Sequence, residues 1–290
     1  MDFGNKIIYK CPKCGKLVYK FGIISMNNFG AAYYSDGGVS GLMHSEEDLI
    51  TKCSKCKTIY WLDKENVEGE CYGQFSDNPK WNAAKSTEWL KKNDFIDALE
   101  QKIYRNKDEE LCIRNIVWRK LSSEYDLTKD EEKIYKSNCK KLLKFYNIDN
   151  INEKLLIAEL HRNLGNFDEC TEILKTIKNK DYIWIRNLLL YECEKKNKRV
   201  VRLIKGSIKC IKKGNKMVFE EPVLTLFCQT CGTTKYVFKK DKPPFYCGYC
   251  KKEVKEETEE EIEEKKKKKE KVKQKMKITK PSKDGKLLEI

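Results

Sequence analysis

The sequence predicts a multi-domain α+β chain: a mainly α-helical middle domain flanked by two small β modules, with a charged C-terminal tail. Three observations carry that expectation. Cysteine pairs of C-x-x-C spacing stand near both ends, "CPKC" at 11–14 and "CSKC" at 53–56, then "CQTC" at 228–231 and "CGYC" at 247–250. From about residue 79 to 197, apolar residues recur at helical spacing. Beyond residue 250 the chain carries 15 Lys and 11 acidic residues, with too little apolar surface to bury a core.

Residues 1–62 are rich in Gly, Tyr and short apolar runs, which suits strands and tight turns. "YYSDGG" places an Asp-Gly pair between apolar segments, a hairpin signal. Residues 63–78, ending in "SDNPK", read as a linker. The helical domain is expected over 79–199, as about seven helices of 10 to 20 residues in antiparallel packing. "NPKW" puts Asn before Pro at a first helical turn. Thr128 with Glu131 has capping-box spacing, as do Asn150 with Glu153 and Asn166 with Glu169. Ile113, Ile116, Val117 and Leu121 form one apolar stripe, and Ile134, Tyr135, Cys139, Leu142, Leu143 and Tyr146 another.

Residues 155–177, "LLIAELHRNLGNFDECTEILKTI", are more specific. Gly165 falls just past a helix end, where a left-handed backbone costs least. Ala158 and Cys170 are small enough for two helices to cross closely, with Phe167, Leu174 and Ile177 filling the crossing. This unit resembles a tetratricopeptide helical pair. One such pair cannot form a solenoid, so neighbouring helices must cover it. Residues 200–250 return to strands split by Gly214-Asn215 and end in the second cysteine module. Residues 251–290 are expected as disordered or as a lone solvated helix, with Glu261–Lys265 and Glu264–Lys268 as favourable helical pairs.

The cysteine pairs carry the chemistry. Cys228, Cys231, Cys247 and Cys250 have the spacing of a four-cysteine zinc ribbon, in which two knuckles close on zinc at about 2.3 Å from each sulfur. Cys11, Cys14, Cys53 and Cys56 make a second set, with an inserted hairpin accounting for the longer separation. The expectation is two structural zinc ions. The formal charge of +15 would then fall to about +11, counting four thiolates per zinc. Zinc binding on the order of 10 kcal/mol can replace a missing core in so small a module.

Catalysis finds no support in the motifs. A catalytic zinc keeps an open position and mixes His or Glu among its ligands, and the chain has two His, His44 and His161. There is no Walker loop and no G-x-G-x-x-G, and "GGVSG" misses the G-x-S-x-G elbow by one position. Cys71, Cys112, Cys139, Cys170, Cys193 and Cys210 stand singly, and those on helix faces read as small hydrophobes. The expectation is therefore no catalytic residue and no bound organic cofactor. No apolar run is long enough to span a membrane. "MDFGNKIIYKCPKC" lacks the features of a secretory signal, so a reducing, cytoplasmic location is expected, where paired cysteines read as metal ligands.

A nucleic-acid surface is the alternative reading. Tyr236, Phe238, Phe245, Tyr246 and Tyr249 are interleaved with Lys235, Lys239, Lys240 and Lys242, and "KKKKKEKVKQKMK" follows. Such a surface could stack bases and contact phosphates. Strand alternation offers the other account, with aromatics inward and lysines in water.

With these motifs in view, the first 200 residues resemble a family of uncharacterised bacterial cytoplasmic proteins, in which an N-terminal zinc ribbon precedes a tetratricopeptide-like helical domain. The stretches that carry the resemblance are "CPKCG", "NNFGAAYYSDGG", "KCSKCKTIYWL", "DALE" with "EELCIRNIVWRKL", and "AELHRNLGNFDECTEIL". The resemblance implies zinc binding through Cys11, Cys14, Cys53 and Cys56, and no reaction. The functional expectation is a non-enzymatic adaptor with a protein partner on its helical domain. The alternative is a nucleic-acid-binding protein of transcription or translation, working through the C-terminal ribbon and tail. No oligomeric state follows from the sequence.

Overall fold

The computed structural model describes residues 2–25, 30–41, 49–72, 76–213, 216–227, 234–247 and 251–254. The chain divides into two compact units, Met1–Lys205 and Gly206–Ile290. Among the described residues there are seven α-helices and six small sheets, and no helix is long and apolar enough to cross a membrane.

The first unit opens with two nine-residue strands, β1 (Asp2–Lys10) and β2 (Leu17–Ser25), paired antiparallel. Two short hairpins follow: β3 (Ala32–Tyr33) with β4 (Val39–Ser40), and β5 (Ile50–Lys52) with β6 (Ile59–Trp61). The "YYSDGG" turn closes the first of these, with Gly37 at φ 75° and its N–H donating to the Tyr34 carbonyl.

Residues 63–78, expected as a linker, instead hold a 3-10 turn at Lys64–Asn66 and strand β7 (Val67–Cys71), which pairs with β1. The reason lies downstream. A Cβ on Gly69 would meet the Trp81 ring at 2.0 Å, so glycine lets the indole approach the strand backbone closely. Trp81 belongs to α1 (Pro79–Asn82), a single turn capped by Asn78, whose side chain accepts from Lys80 N. Strand β8 (Lys85–Ser86) then completes a sheet of order β7-β1-β2-β8.

The helical layer comprises α2 (Lys92–Glu100), α3 (Lys107–Ser122), α4 (Lys129–Leu142), α5 (Ile151–Leu164), α6 (Phe167–Lys175) and α7 (Ile183–Glu194). Each packs on its sequence neighbour. The Thr128–Glu131 capping box is made in both directions. Asn150 caps α5 by accepting from Asn152 and Glu153 N–H, while the Glu153 carboxylate accepts from Asn147 N–H instead. Asn166 makes no side-chain cap, because its amide turns toward His161 Nδ1. Gly165 ends α5 at φ 88°, and Ala158, Cys170 and Leu174 are fully buried on α5 and α6.

Two cores meet in this unit. Ile50 and Ile59 pack with Phe95, Ile113, Ile116 and Val117, so the β5–β6 hairpin and helices α2 and α3 share one interior. Trp118, Cys139, Leu142 and Leu160 form the next. After α7 the chain returns to the first hairpin. Ser35 and Val201 exchange N–H to O bonds through Ser35 N and Oγ, and Leu203 N donates to the Tyr33 carbonyl. That pairing carries the first unit to Lys205, past the boundary at 199 that composition suggests.

The second unit contains three antiparallel hairpins: β9 (Lys209–Lys213) with β10 (Lys216–Glu220), β11 (Leu224–Phe227) with β12 (Thr234–Val237), and β13 (Phe245–Tyr246) with β14 (Glu253–Val254). Leu226, Val237, Cys247 and Val254 make its small core. The charged tail beyond residue 254 lies outside the described residues.

Candidate metal centre

Each N-terminal C-x-x-C pair sits on a backbone knuckle of one design. Cys11 N donates to Lys16 O, and Gly15 N donates to Cys11 O, both at 2.9 Å. Cys53 N donates to Thr58 O, and Lys57 N donates to Cys53 O, again at 2.9 Å. The residue after the second cysteine turns left-handed in both, Gly15 at φ 71° and Lys57 at φ 59°. The i,i+3 spacing lets one tight turn present two sulfurs on the same side.

β1 and β2 flank the first knuckle, and β5 and β6 flank the second. The two knuckles face each other. Cys11 Sγ lies 3.6 Å from Cys56 Sγ, and Cys14 Sγ lies 3.5 Å from Cys53 Sγ. All four sulfurs fall within 4.8 Å of one another. Four sulfurs held tetrahedrally at about 2.3 Å from a metal would stand about 3.8 Å apart. The four-cysteine group therefore fits a metal ion.

The surroundings agree with that fit. Cys11 and Cys53 are buried, while Cys14 and Cys56 are half-buried. Hydrogen bonding with Thr58, first to its side chain and then to its backbone, lowers the Cys56 thiol to about 6. Burial pushes the Cys11 thiol up to about 12. A bound cation would offset the repulsion among four thiolates held this close. Tyr60 packs with the four cysteines. Its hydroxyl is buried with no hydrogen-bond partner among the described residues, and burial, followed by the cysteine charges, raises its pKa.

Cys247 lies in the second unit, buried in the core there. Its backbone repeats the knuckle: Cys247 N donates to Lys252 O at 2.8 Å, Lys251 N donates to Cys247 O at 3.1 Å, and Lys251 has φ 61°. Cys228, Cys231 and Cys250 lie outside the described residues, as does His44. His161 sits half-buried near the end of α5, where burial lowers its pKa. Cys139 and Cys170 are fully buried in the helical layer, and burial pushes Cys139 up to about 12. In the second unit Phe238 is buried and Phe245 half-buried, whereas Tyr246, Lys239, Lys240 and Lys242 are exposed.

Sequence reading missed Thr58 and Tyr60, which tune and cover the cluster. Their signal was positional: both follow the second knuckle within four residues of Cys56. No family model, no curated protein and no solved structure matches this chain, so the family resemblance rests on the motifs themselves.

Proposed function

We propose that this is a non-enzymatic, zinc-binding interaction adaptor of the cytoplasm. One zinc is held by Cys11, Cys14, Cys53 and Cys56, and a second by Cys228, Cys231, Cys247 and Cys250. The observation that carries the metal is the set of four sulfurs within 4.8 Å on two matching knuckles. An all-cysteine donor set favours a soft metal in tetrahedral geometry, and it leaves no open position for substrate. Zinc supplies a cross-link between the two knuckles and no redox chemistry. Among the chain's own residues, Tyr60 packs against the cluster.

The adaptor role rests on the helical layer. Successive helices from α2 to α7 stack on one another, and the α5–α6 hairpin turns at Gly165 as a tetratricopeptide-like pair would. Stacked helical pairs offer an extended face to protein partners. The thiols of Cys139 and Cys170 are buried and raised, which suits packing and opposes nucleophilic use.

Elemental analysis of the purified full chain tests the metal: two zinc ions per chain are expected, and one in Cys53→Ser. Iron with inorganic sulfide, or metal content unchanged in Cys53→Ser, would refute the assignment. A protein partner that stays bound after nuclease treatment and is lost when the α2–α7 layer is disrupted supports the adaptor role. Partners lost with nuclease would transfer the function to nucleic acid.

A further inference from the structure

Two cysteines that stand singly in the sequence meet in the first unit. Cys170 lies within α6 and Cys193 near the end of α7, 23 positions apart. Their sulfurs are in hydrogen-bond contact at 3.2 Å. Neither belongs to a C-x-x-C pair, so their spacing carries no sign of the contact. Both are free thiols. Cys170 is fully buried, and Cys193 keeps 6% of its surface exposed.

Small residues at a helix crossing fill space, and cysteine does so as a small hydrophobe. The surroundings of this pair ask more of it, because they divide the two thiols. The contact with Cys170 lowers the Cys193 thiol below its ordinary value. Burial and Glu159 oppose that effect, while the Arg162 guanidinium and the Thr171 side chain reinforce it. The same contact, followed by burial, raises Cys170. One sulfur is thereby favoured as thiolate and its neighbour as thiol, which is how a nucleophile stands beside a resolving thiol.

The cation is fixed where it acts. Glu159 and Arg162 on α5 are both fully buried and 2.6 Å apart. Arg162 donates to the carbonyls of Asn197 and Arg199. Asn163 donates to the Lys198 carbonyl at 2.8 Å, and Ser35 donates to Glu159 Oε1 at 2.8 Å. A buried ion pair is a poor source of net stability. This one holds a guanidinium that cannot swing away within electrostatic reach of both sulfurs.

We propose that Cys170 and Cys193 form a reversible disulfide that staples α6 to α7. A disulfide holds its sulfurs at about 2.05 Å, so the pair closes by about 1.2 Å from its present 3.2 Å. The oxidant is a peroxide, small enough to reach a sulfur at a helix end. The Cys193 sulfur attacks one peroxide oxygen and the O–O bond breaks. Hydroxide leaves and takes up the proton that Cys193 released, and Cys193 becomes a sulfenic acid. The Cys170 sulfur then attacks the Cys193 sulfur. The S–S bond forms, the S–O bond breaks, and water departs with the Cys170 proton. Two thiols and one peroxide give one disulfide and two waters, the sulfurs losing the two electrons that the peroxide gains. A dithiol reverses the step by exchange. Cys170 is too weakly acidic to begin the sequence and acts on a sulfur already beside it. The inference rests neither on the zinc centre nor on the adaptor reading.

Peptide mapping of the zinc-loaded full chain tests it. The folded protein is treated with graded hydrogen peroxide, then denatured with an alkylating reagent present, digested and weighed. A cross-linked peptide joining Cys170 to Cys193, two hydrogens lighter than its parts and lost on treatment with dithiothreitol, is expected. Hydrogen exchange across residues 183–194 should slow in the oxidised chain. In Cys170→Ser the sulfenic acid should persist on Cys193, where dimedone traps it. Cys170 and Cys193 that both remain alkylatable after Cys11, Cys14, Cys53 and Cys56 have oxidised would overturn the proposal. So would a cross-link that leaves exchange in α7 unchanged. Dimedone labelling of Cys170 in Cys193→Ser, with none on Cys193 in Cys170→Ser, would overturn the assigned order.

Discussion

The cysteine cluster and the buried Glu159–Arg162 pair do the same job in two parts of the first unit, by opposite means. Each fastens short irregular segments that cannot hold themselves. The cluster joins two knuckles whose sulfurs come from residues three apart in sequence, and Tyr60 and Leu62 pack against them. The ion pair sits in one turn of α5 and reaches Ser35, Asn197 and Arg199, while the adjacent Asn163 reaches Lys198; no local pattern connects these residues. The first fastening needs an added ion and little core. The second needs a deep interior, because a bare guanidinium and carboxylate survive burial only when every donor finds an acceptor.

The largest expected effect separates the two directly. Stripping metal with a chelator should unfold the hairpins carrying Cys11–Cys14 and Cys53–Cys56, since structural zinc contributes on the order of 10 kcal/mol. Backbone NMR should lose residues 9–18 and 50–62 while α5–α7 persist. Collapse of α5–α7 with the knuckles would show that the shared core through Ile50 and Ile59 makes the two fastenings one.

Breaking the ion pair comes next. Glu159→Gln should cost about 3–5 kcal/mol, because it leaves Arg162 buried without its charge partner. Pairing Glu159→Leu with Arg162→Met should recover much of that loss in denaturant titration, while loosening residues 197–201 in hydrogen exchange. A double variant as unstable as the single one would mean the network is irreplaceable by packing.

Local devices should matter less. Thr128→Ala removes the α4 cap and is expected to cost about 1 kcal/mol in thermal unfolding. The smallest effect concerns a long-range, half-buried pair. Glu131 is lowered to about 2, first by Lys92 and then by the Thr128 N–H and hydroxyl. An acid depressed on folding stabilises the fold above its ordinary pKa, and that contribution is lost as pH falls through the folded value. NMR titration of Lys92→Gln should move the Glu131 midpoint upward and flatten acid unfolding at low pH. An unmoved midpoint would assign the shift to the cap alone.

The comparison also explains what was legible. C-x-x-C spacing, Thr128 with Glu131, Asn78 before Pro79 and Gly165 past α5 are all contacts within four residues, so the sequence displays them. The departures follow the same rule. Residues 63–78 read as a linker from their turn residues, ending in "SDNPK", and the packing of Trp81 on Gly69, twelve residues apart, is not visible in that pattern. Asn166 failed as a cap because His161 offered its amide another partner.

By itself, then, the amino-acid sequence determined the cysteine knuckles, the helix starts at Asn78, Thr128 and Asn150, the stop at Gly165, and the mixed α and β character of the chain, while α1, α2 and α6 are shorter than the 10 to 20 residues expected. Each of these depends on backbone preference or on side chains one turn apart. The sequence also put Cys11, Cys14, Cys53 and Cys56 in one set, and the structure brings them together; tertiary structure alone decided that β7 joins β1 and that α5 grips both the 34–38 turn and the 197–201 segment. Those contacts join residues dozens to more than a hundred positions apart. Their free energy comes from burial and desolvation, which depend on what surrounds a group and not on its neighbours in the chain.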